Sequence, residues 1–334
     1  MTSRNTLSAT DRLAYSDTVR KFNALQGRLR ISVTHACQLN CRFCHQEGID
    51  RHWEAIHISE QFFVGLVNSY TRLGGQYIEL TGGEPTLHPR IGQLIDAVAG
   101  PDHHLILCTN GLRLDRVQGQ IERRKLSLIK LSLHATDSSP AARVMLGNVW
   151  DFVRIERNVE AALHAGAQFQ LIYTHTRHNS KYLESVLSLA LLWDVHLQIV
   201  DLITSRAHRP GVELGYVGGD ESEAIVRHYA TLVRVARDRT GAVLKVYKTP
   251  NGRSWEIKDH HYGLLHRQMC RGCTKRTDCG EGIYALRVDS TGIVKPCLLR
   301  EDLYRQIATH ETEPLHEVLA ETLLQMLSGA MKWS

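Results

Sequence analysis

Two hydrophobic periods alternate along the chain from about residue 29 onward. LRISVTH (29–35), YIELT (77–81), HLILC (104–108), LIKLSLH (128–134), FQLIYTH (169–175) and HLQIVDL (196–202) are short, rich in β-branched residues and nearly continuous in apolar content. That is the pattern of strands buried on both faces of a parallel sheet. Between them the spacing lengthens to that of helices. In SEQFFVGLVNSYTRLGG, Ser59 can cap the first turn, Phe62, Leu66, Tyr70 and Leu73 share one face, and Gly74 with Gly75 stop the run. A second helix is expected from about Asp151 to Gly166. A third, NSKYLESVLSLALLW, begins at Asn179 and turns Leu183, Val186, Leu187, Ala190 and Leu191 inward.

Six strand–helix units in succession predict an α/β protein with a parallel sheet. The period suits a barrel or a doubly wound sheet, and spacing does not choose between them. After residue 205, SRAHRPGVELGYVGGD reads as a loop. A helix at about 221–239, a strand AVLKVYK (242–248), a cysteine-rich segment (270–297) and a last helix near 314–328 complete the pattern. The expected organisation is an N-terminal helical segment (1–28), a core (29–215) and a C-terminal extension (216–334).

Composition narrows the function. The 334 residues are 43% hydrophobic and 22% charged, the balance of a globular protein with ample length for a core. The formal charge of +5, with 19 histidines, suits an anionic metabolite and is too weak to argue nucleic acid. No apolar run approaches the roughly 20 residues that span a bilayer, and the N-terminus lacks a secretory apolar core. A cytoplasmic protein without membrane or nucleic-acid partners is expected. In a reducing compartment eight cysteines argue for metal or redox work rather than disulfides, and seven of them fall in two groups.

Cys37, Cys41 and Cys44 stand as C-x3-C-x2-C just past the first strand. An iron-sulfur cubane takes one ligand per iron, so a triad leaves one iron open for a cofactor or substrate. A zinc site completed by His45 is the alternative. Cys270, Cys273, Cys279 and Cys297 form C-x2-C-x5-C-x17-C, and VDSTG between the last two reads as a hairpin turn that returns Cys297 to Cys279. Four thiols can close a structural zinc site or hold a second cluster.

C-x3-C-x-(aromatic)-C, matched by Cys37, Cys41, Phe43 and Cys44, resembles the signature of the radical S-adenosylmethionine (SAM) superfamily. LTGGEP (80–85) is similar to that family's GGEP motif. The resemblance implies a partial (β/α)6 TIM-type barrel with a C-terminal auxiliary iron-sulfur extension. It implies a [4Fe-4S] cluster on Cys37, Cys41 and Cys44 that binds SAM. Phe43 would lie beside the adenine, Gly82, Gly83 and Glu84 would receive the SAM amino group, and Thr109, Asn110 and Ser132 would contact the methionine and ribose. C-x12-G-x4-C, from Cys279 through Gly292 to Cys297, looks like the twitch or SPASM auxiliary-cluster module, which implies a second [4Fe-4S] cluster. By the same resemblance an external donor such as flavodoxin or ferredoxin supplies an electron, SAM is cleaved to a 5'-deoxyadenosyl radical, and that radical takes hydrogen from a small-molecule substrate.

LRISVT, CRFCHQEG, TGGEP and DSTGIVKPCL are similar to the GTP 3',8-cyclase-like enzymes of molybdenum-cofactor biosynthesis. Three departures fall on the parts that would hold GTP. The gap from Cys273 to Cys297 is longer and contains Cys279, Ala285 replaces the first arginine of an R-x-R whose second is Arg287, and the chain ends MKWS without a Gly-Gly. A relative acting on another nucleotide or nucleoside, in cofactor or specialised-metabolite biosynthesis such as nucleoside antibiotics, is therefore expected, with carbon–carbon bond formation, cyclisation or rearrangement as the outcome. The cyclase itself, a peptide-modifying twitch/SPASM maturase, and, from a different class, a zinc-stapled binding module are the alternatives.

Substrate contacts are expected from Arg206, His208 and Arg209, which follow the sixth strand, and from Arg287. Tyr173, His175 and Arg177, at the end of the fifth, can reach a substrate by the same geometry. Cys108 reads as a small buried hydrophobe.

Overall fold

Strand β1 (Arg28–Ser32) sets the pattern for the sheet. Leu29 and Ile31 are fully buried in the apolar core, and Arg30 between them projects to the other face, as the two-residue period of a strand requires. β2 (Tyr77–Thr81), β3 (His104–Thr109), β4 (Leu128–Ser132), β5 (Phe169–Thr174) and β6 (His196–Val200) follow, each pairing in parallel with its predecessor. All six strands expected from the apolar runs are present. The computed structural model describes residues 18–24, 26–44, 55–202, 215, 217–238, 241–259, 265–274, 276, 279, 281–309, 315–328 and 332–333.

Parallel pairing forces long crossovers, and these are helical. A helical segment at residues 18–24 buries Val19 and Phe22 ahead of β1. α1 (Glu60–Arg72) joins β1 to β2, with the Ser59 hydroxyl accepting from the Phe62 N–H at 3.2 Å and Phe62, Phe63, Leu66, Val67 and Tyr70 buried. Gly74, at φ +88°, turns the chain out of it. α2 (Ile91–Val98), α3 (Gln118–Glu122), α4 (Pro140–Leu146), α5 (Phe152–His164) and α6 (Leu183–Leu192) make the later crossovers.

The C-terminal segments enter the same sheet. They comprise α7 (Gly219–Val226), β7 (Thr231–Arg237), β8 (Val243–Lys248), β9 (Ser254–Asp259), β10 (Leu265–His266), β11 (Ala285–Val288), β12 (Ile293–Lys295), β13 (Arg305–Gln306), α8 (Leu315–Leu327) and β14 (Lys332–Trp333). The strand order is β13-β12-β11-β1-β2-β3-β4-β5-β6-β9-β8-β7, with β10 and β14 forming a separate antiparallel pair. β9 pairs in parallel with β6, and β11 in parallel with β1. The six expected strands thus lie inside a parallel run of eight among the described residues. The two ends of this run approach each other, since Lys258 of β9 lies 5.5 Å from the ring of Tyr284, which immediately precedes β11. The mixed α/β architecture is that of the expected partial barrel, curled around an interior lined by one face of the strands.

Two readings need correction. Residues 221–239 are not one helix, because α7 ends at Val226 and Thr231–Arg237 forms a strand antiparallel to β8. Its β-branched Thr231, Val233 and Val235 favour the extended chain over a helix. SWEIKD (254–259) was not anticipated as a strand, yet it closes one end of the parallel run beside β6, burying Trp255 and Ile257. The hairpin at VDSTG is present, with Gly292 at φ +87° and the Asp289 carboxylate accepting from the N–H groups of Thr291 (2.9 Å) and Ile293 (3.1 Å).

Because β9 completes the sheet rather than decorating it, Trp255→Ala is expected to lower the stability of the β1–β6 core by about 3–5 kcal/mol. Denaturation followed by a probe in that core would check this. An unchanged midpoint would show that β9 is dispensable to the barrel.

Candidate functional site

The chain leaving β1 is tied to the chain leaving β2. Val33 N–H donates to Thr81 O at 2.9 Å, Gly83 N–H to Thr34 O at 2.8 Å and Glu84 N–H to Ala36 O at 2.8 Å. This approach requires glycine. A Cβ on Gly82, which sits at φ +144°, would lie 2.3 Å from Thr34 O, and one on Gly83 would lie 2.3 Å from Ala36 O. The glycine pair thereby fixes the loop that carries Cys37, Cys41 and Cys44 at the carboxyl end of the sheet. Glu84 locks a third loop to these two. Its buried carboxylate accepts from Thr86 N–H (3.1 Å), Thr86 Oγ1 (2.6 Å), Thr109 Oγ1 (2.7 Å) and Asn110 N–H (2.7 Å). Burial raises its pKa against the pull of these four donors. Asn110 Oδ1 accepts in turn from Gln38 Nε2 at 3.3 Å, inside the cysteine loop.

These residues surround one cavity of about 330 Å³ at the carboxyl ends of the strands. Cys37, Cys41, Cys44, Phe43, Gly82, Gly83, Glu84, Thr109, Asn110 and Ser132 all line it, so every residue of the first expected site is brought together. Phe43 packs edge-on against His134, with ring centroids 4.7 Å apart. Burial pulls the His134 pKa down to about 3, and its Nδ1 accepts from Thr174 N–H at 3.2 Å, so a neutral ring protonated on Nε2 faces the cavity.

The floor of the cavity holds a charged group that the apolar reading of the strands missed. Glu79, fully buried at the middle of β2, lies 2.7 Å from Lys130 Nζ, 3.1 Å from Arg30 Nη1 and 3.4 Å from Arg28 Nη1. Burial alone would raise its pKa, but the three cations overcome this and hold the carboxyl well below its ordinary value. Cys108 is not the inert hydrophobe expected. It lines the cavity and donates its thiol hydrogen to Glu79 Oε1 at 2.9 Å, and burial beside that carboxylate pushes its pKa up to about 12. The signal was present: LRISV, YIELT, LIKLS and HLQIV each set a charged or amide side chain between two apolar ones, and Arg30, Glu79, Lys130 and Gln198 all face the lumen.

The other expected contacts divide. Arg287 lines the cavity, paired with Glu281 at 2.5 Å. Arg206, His208 and Arg209 lie outside the described residues. Tyr173 and His175 do not face the cavity: the Tyr173 hydroxyl donates to Asn179 O at 2.5 Å, and His175 is held between Ser222 (2.6 Å) and Ser180 (3.0 Å). Their hydrogen bonds brace the turn after β5.

Cys270, Cys273, Cys279 and Cys297 converge on a second, smaller cavity, and Glu281 lines both. The β11–β12 hairpin returns Cys297 as expected, and its sulfur accepts from Leu299 N–H at 3.4 Å. Burial raises the pKa of Cys270 and Cys279 and pushes that of Cys297 up to about 12, so a metal centre binding there would have to displace their protons. Among the described residues no three Cys, His, Asp or Glu side chains are close enough to grip one metal ion. Thiolates on one zinc sit roughly 3.8 Å apart, from a Zn–S distance of about 2.3 Å. Cubane ligands each hold a separate iron and lie farther apart. Both donor sets place thiols around a cavity, the donor chemistry that an iron-sulfur cluster requires.

Replacing Glu79 by Gln leaves three cations around a neutral group, and a loss of about 3–5 kcal/mol is expected. Because the folded pKa of Glu79 is depressed, its contribution is complete above the unfolded value of about 4.3 and is lost as pH falls toward the folded value. Denaturation curves of both proteins should diverge at neutral pH and draw together in acid.

Comparison with known proteins agrees with this geometry. The Radical SAM superfamily model matches residues 31–190. A probable GTP 3',8-cyclase of Sulfolobus acidocaldarius is 26% identical over 302 residues, covering 88% of this chain and 89% of that protein. A GTP 3',8-cyclase of Clostridium botulinum is 25% identical over 280 residues, covering 82% and 81%. Among solved structures, Streptococcus suis SuiB bound to its precursor peptide SuiA superposes with a TM-score of 0.62 at 14% identity, over 96% of this chain and 74% of that one. Native anSMEcpe with bound AdoMet gives 0.59 at 15% identity, over 89% and 80%. At such identities the structures establish the fold alone. The strands, the cysteine loop and the sequence match agree, and residues 31–190 form a radical SAM superfamily domain.

Proposed function

We propose that this enzyme removes a hydrogen atom from a small nucleotide- or nucleoside-type substrate, with a SAM-binding cluster on Cys37, Cys41 and Cys44 and a second cluster on Cys270, Cys273, Cys279 and Cys297. The observation that carries the proposal is the single cavity running from the three-cysteine loop to Arg30, Lys130 and Arg287. When bound, the first cluster with SAM supplies a one-electron cleavage that yields a 5'-deoxyadenosyl radical. The residues of the chain place and shield what binds there. The backbone of Gly82 and Gly83 forms one wall, Glu84 holds the three exit loops in register, and Phe43 with His134 forms an aromatic flank. The cations on the floor and at Arg287 suit anionic or hydrogen-bonding groups of a nucleotide.

Likeness to proteins named GTP 3',8-cyclase supports the substrate class. A change of substrate within it is supported by Ala285, fully buried and in register with Arg28 of β1, where the cyclase-like pattern has an arginine.

Incubating reduced enzyme and SAM with site-deuterated nucleotides is expected to move deuterium into 5'-deoxyadenosine. Transfer from a peptide instead would overturn the substrate class. Cys41→Ala should abolish 5'-deoxyadenosine formation while leaving the circular dichroism spectrum unchanged. Anaerobic wild-type protein should carry about eight irons, one per cubane corner of two clusters, and Cys279→Ala should alter only the second cluster's electron paramagnetic resonance signal.

A further inference from the structure

The second group of cysteines has a neighbour that no motif announced. His266 in β10 lines the cavity shared by Cys270, Cys273, Cys279 and Cys297, and among the described residues it is the one histidine that does so. It is 6% exposed, and neither ring nitrogen has a hydrogen-bond partner. An unpaired imidazole in an interior is costly, because its nitrogens give up water and gain nothing in return. Buried polar side chains are nearly always paired, so an orphan at the edge of a cavity marks a place where a ligand belongs.

The backbone fixes this residue relative to the cysteines. β10 pairs antiparallel with β14, which sets His266 opposite Lys332. The carbonyl of the next residue, Arg267, accepts from Cys270 N–H at 2.9 Å, and Cys270 O accepts from Cys273 N–H at 3.2 Å. His266 and the first two cysteines therefore belong to one short hydrogen-bonded turn. Arg300, beyond Cys297, ties the hairpin end to that turn by donating from Nη1 to Met269 O at 2.6 Å. Met269, Ile283 and Leu299 give the cavity an apolar lining, in which a hydrogen bond meets little competition from water.

We propose that His266 donates an N–H hydrogen bond to a sulfur of the iron-sulfur group held by these four cysteines and thereby raises its reduction potential. The proposal rests on the two-cluster reading given above. Four thiolates supply one ligand to each of four irons, so the imidazole is not needed as a ligand. Its chemistry suits the sulfurs instead, since an imidazole carries at least one N–H in either protonation state. Sulfur gains negative charge when such a group accepts an electron, and a donor aimed at it stabilises the reduced state more than the oxidised one. Arg276 and Arg300 line the same cavity, and their positive charges act in the same direction.

The test uses the full-length chain with Cys37, Cys41 and Cys44 each changed to Ala, so that iron is held by the second group alone. To this parent are added His266→Gln, which keeps an N–H, or His266→Leu, which does not. In a redox titration followed by electron paramagnetic resonance, the ratio of reduced to oxidised cluster at a fixed potential should fall about tenfold in His266→Leu, about 59 mV for one electron. In His266→Gln it should stay within about threefold of the parent. With 15N-labelled histidine, the reduced parent should show weak 15N coupling that His266→Leu lacks. An unmoved ratio in His266→Leu would overturn the hydrogen bond. An equal fall in both variants would also overturn it, by assigning the effect to the shape of the ring. Strong 15N coupling, the mark of nitrogen bound to iron, would overturn it by making His266 a ligand. If His266→Leu fails to retain iron, the labelled parent decides, weak coupling supporting the bond and no coupling removing it. A parent that holds zinc or no metal would overturn the second-cluster reading itself, and metal analysis separates that failure from the others.

Discussion

The barrel interior is organised by one buried carboxylate. Glu79 stands at the centre of β2 with no exposed side-chain surface, and the three cations around it come from β1 and β4. Charges of one sign cannot share a low-dielectric interior unless a counter-charge is present, so the lumen tolerates Arg28, Arg30 and Lys130 only because Glu79 is ionised. The result is a floor that stays polar and shaped beneath the loops. A wholly apolar floor would fill by packing, as the interiors of closed barrels do. Here the polar residues keep the mouth of the barrel available to a ligand.

Above that floor the functional geometry is mostly backbone. The exits of β1, β2 and β3 are joined by main-chain hydrogen bonds and by Glu84, so the cysteine loop, the glycine pair and Thr109 with Asn110 are tied into one unit. Glu84 lines the cavity while spending its carboxylate on neighbouring loops. It is therefore a strut as well as a wall. The second group of cysteines stands on a different scaffold, the β11–β12 hairpin and the turn at Cys270, and reaches the main cavity through Glu281.

Much of this was legible from residue order, and the exceptions have physical causes. The strands of the parallel core were readable because burial on both faces demands apolar runs, and α1 because Ser59, Phe62 and Gly74 signal its start, face and end. Every residue of the first site stood near a motif or a strand end. The lumen charges were hidden because a single Arg, Glu or Lys in a strand reads as noise until its neighbours across the sheet are known. Glu79 has meaning only beside Lys130, 51 residues away. β9 was hidden by its own composition, since SWEIKD alternates polar and apolar residues and its partner β6 lies far back in the chain. Residues 231–237 were misread although Thr231, Val233 and Val235 favour a strand, because that preference is weak until the pairing with β8 is known. The neighbouring β8 decides the matter, and no local signal reveals that pairing.

That β9 and β11 flank the central strands carries a consequence for synthesis. During translation β1 through β6 emerge first, and the outer margins of β6 and β1 must wait for partners encoded after residue 253 and after residue 284. Until then both margins expose unpaired main-chain groups of the kind that recruit other extended chains. The nascent protein thus passes through a ribosome-bound stage in which holdase chaperones have their best opportunity to engage it. A message truncated before β11 yields a sheet with one permanently adhesive side.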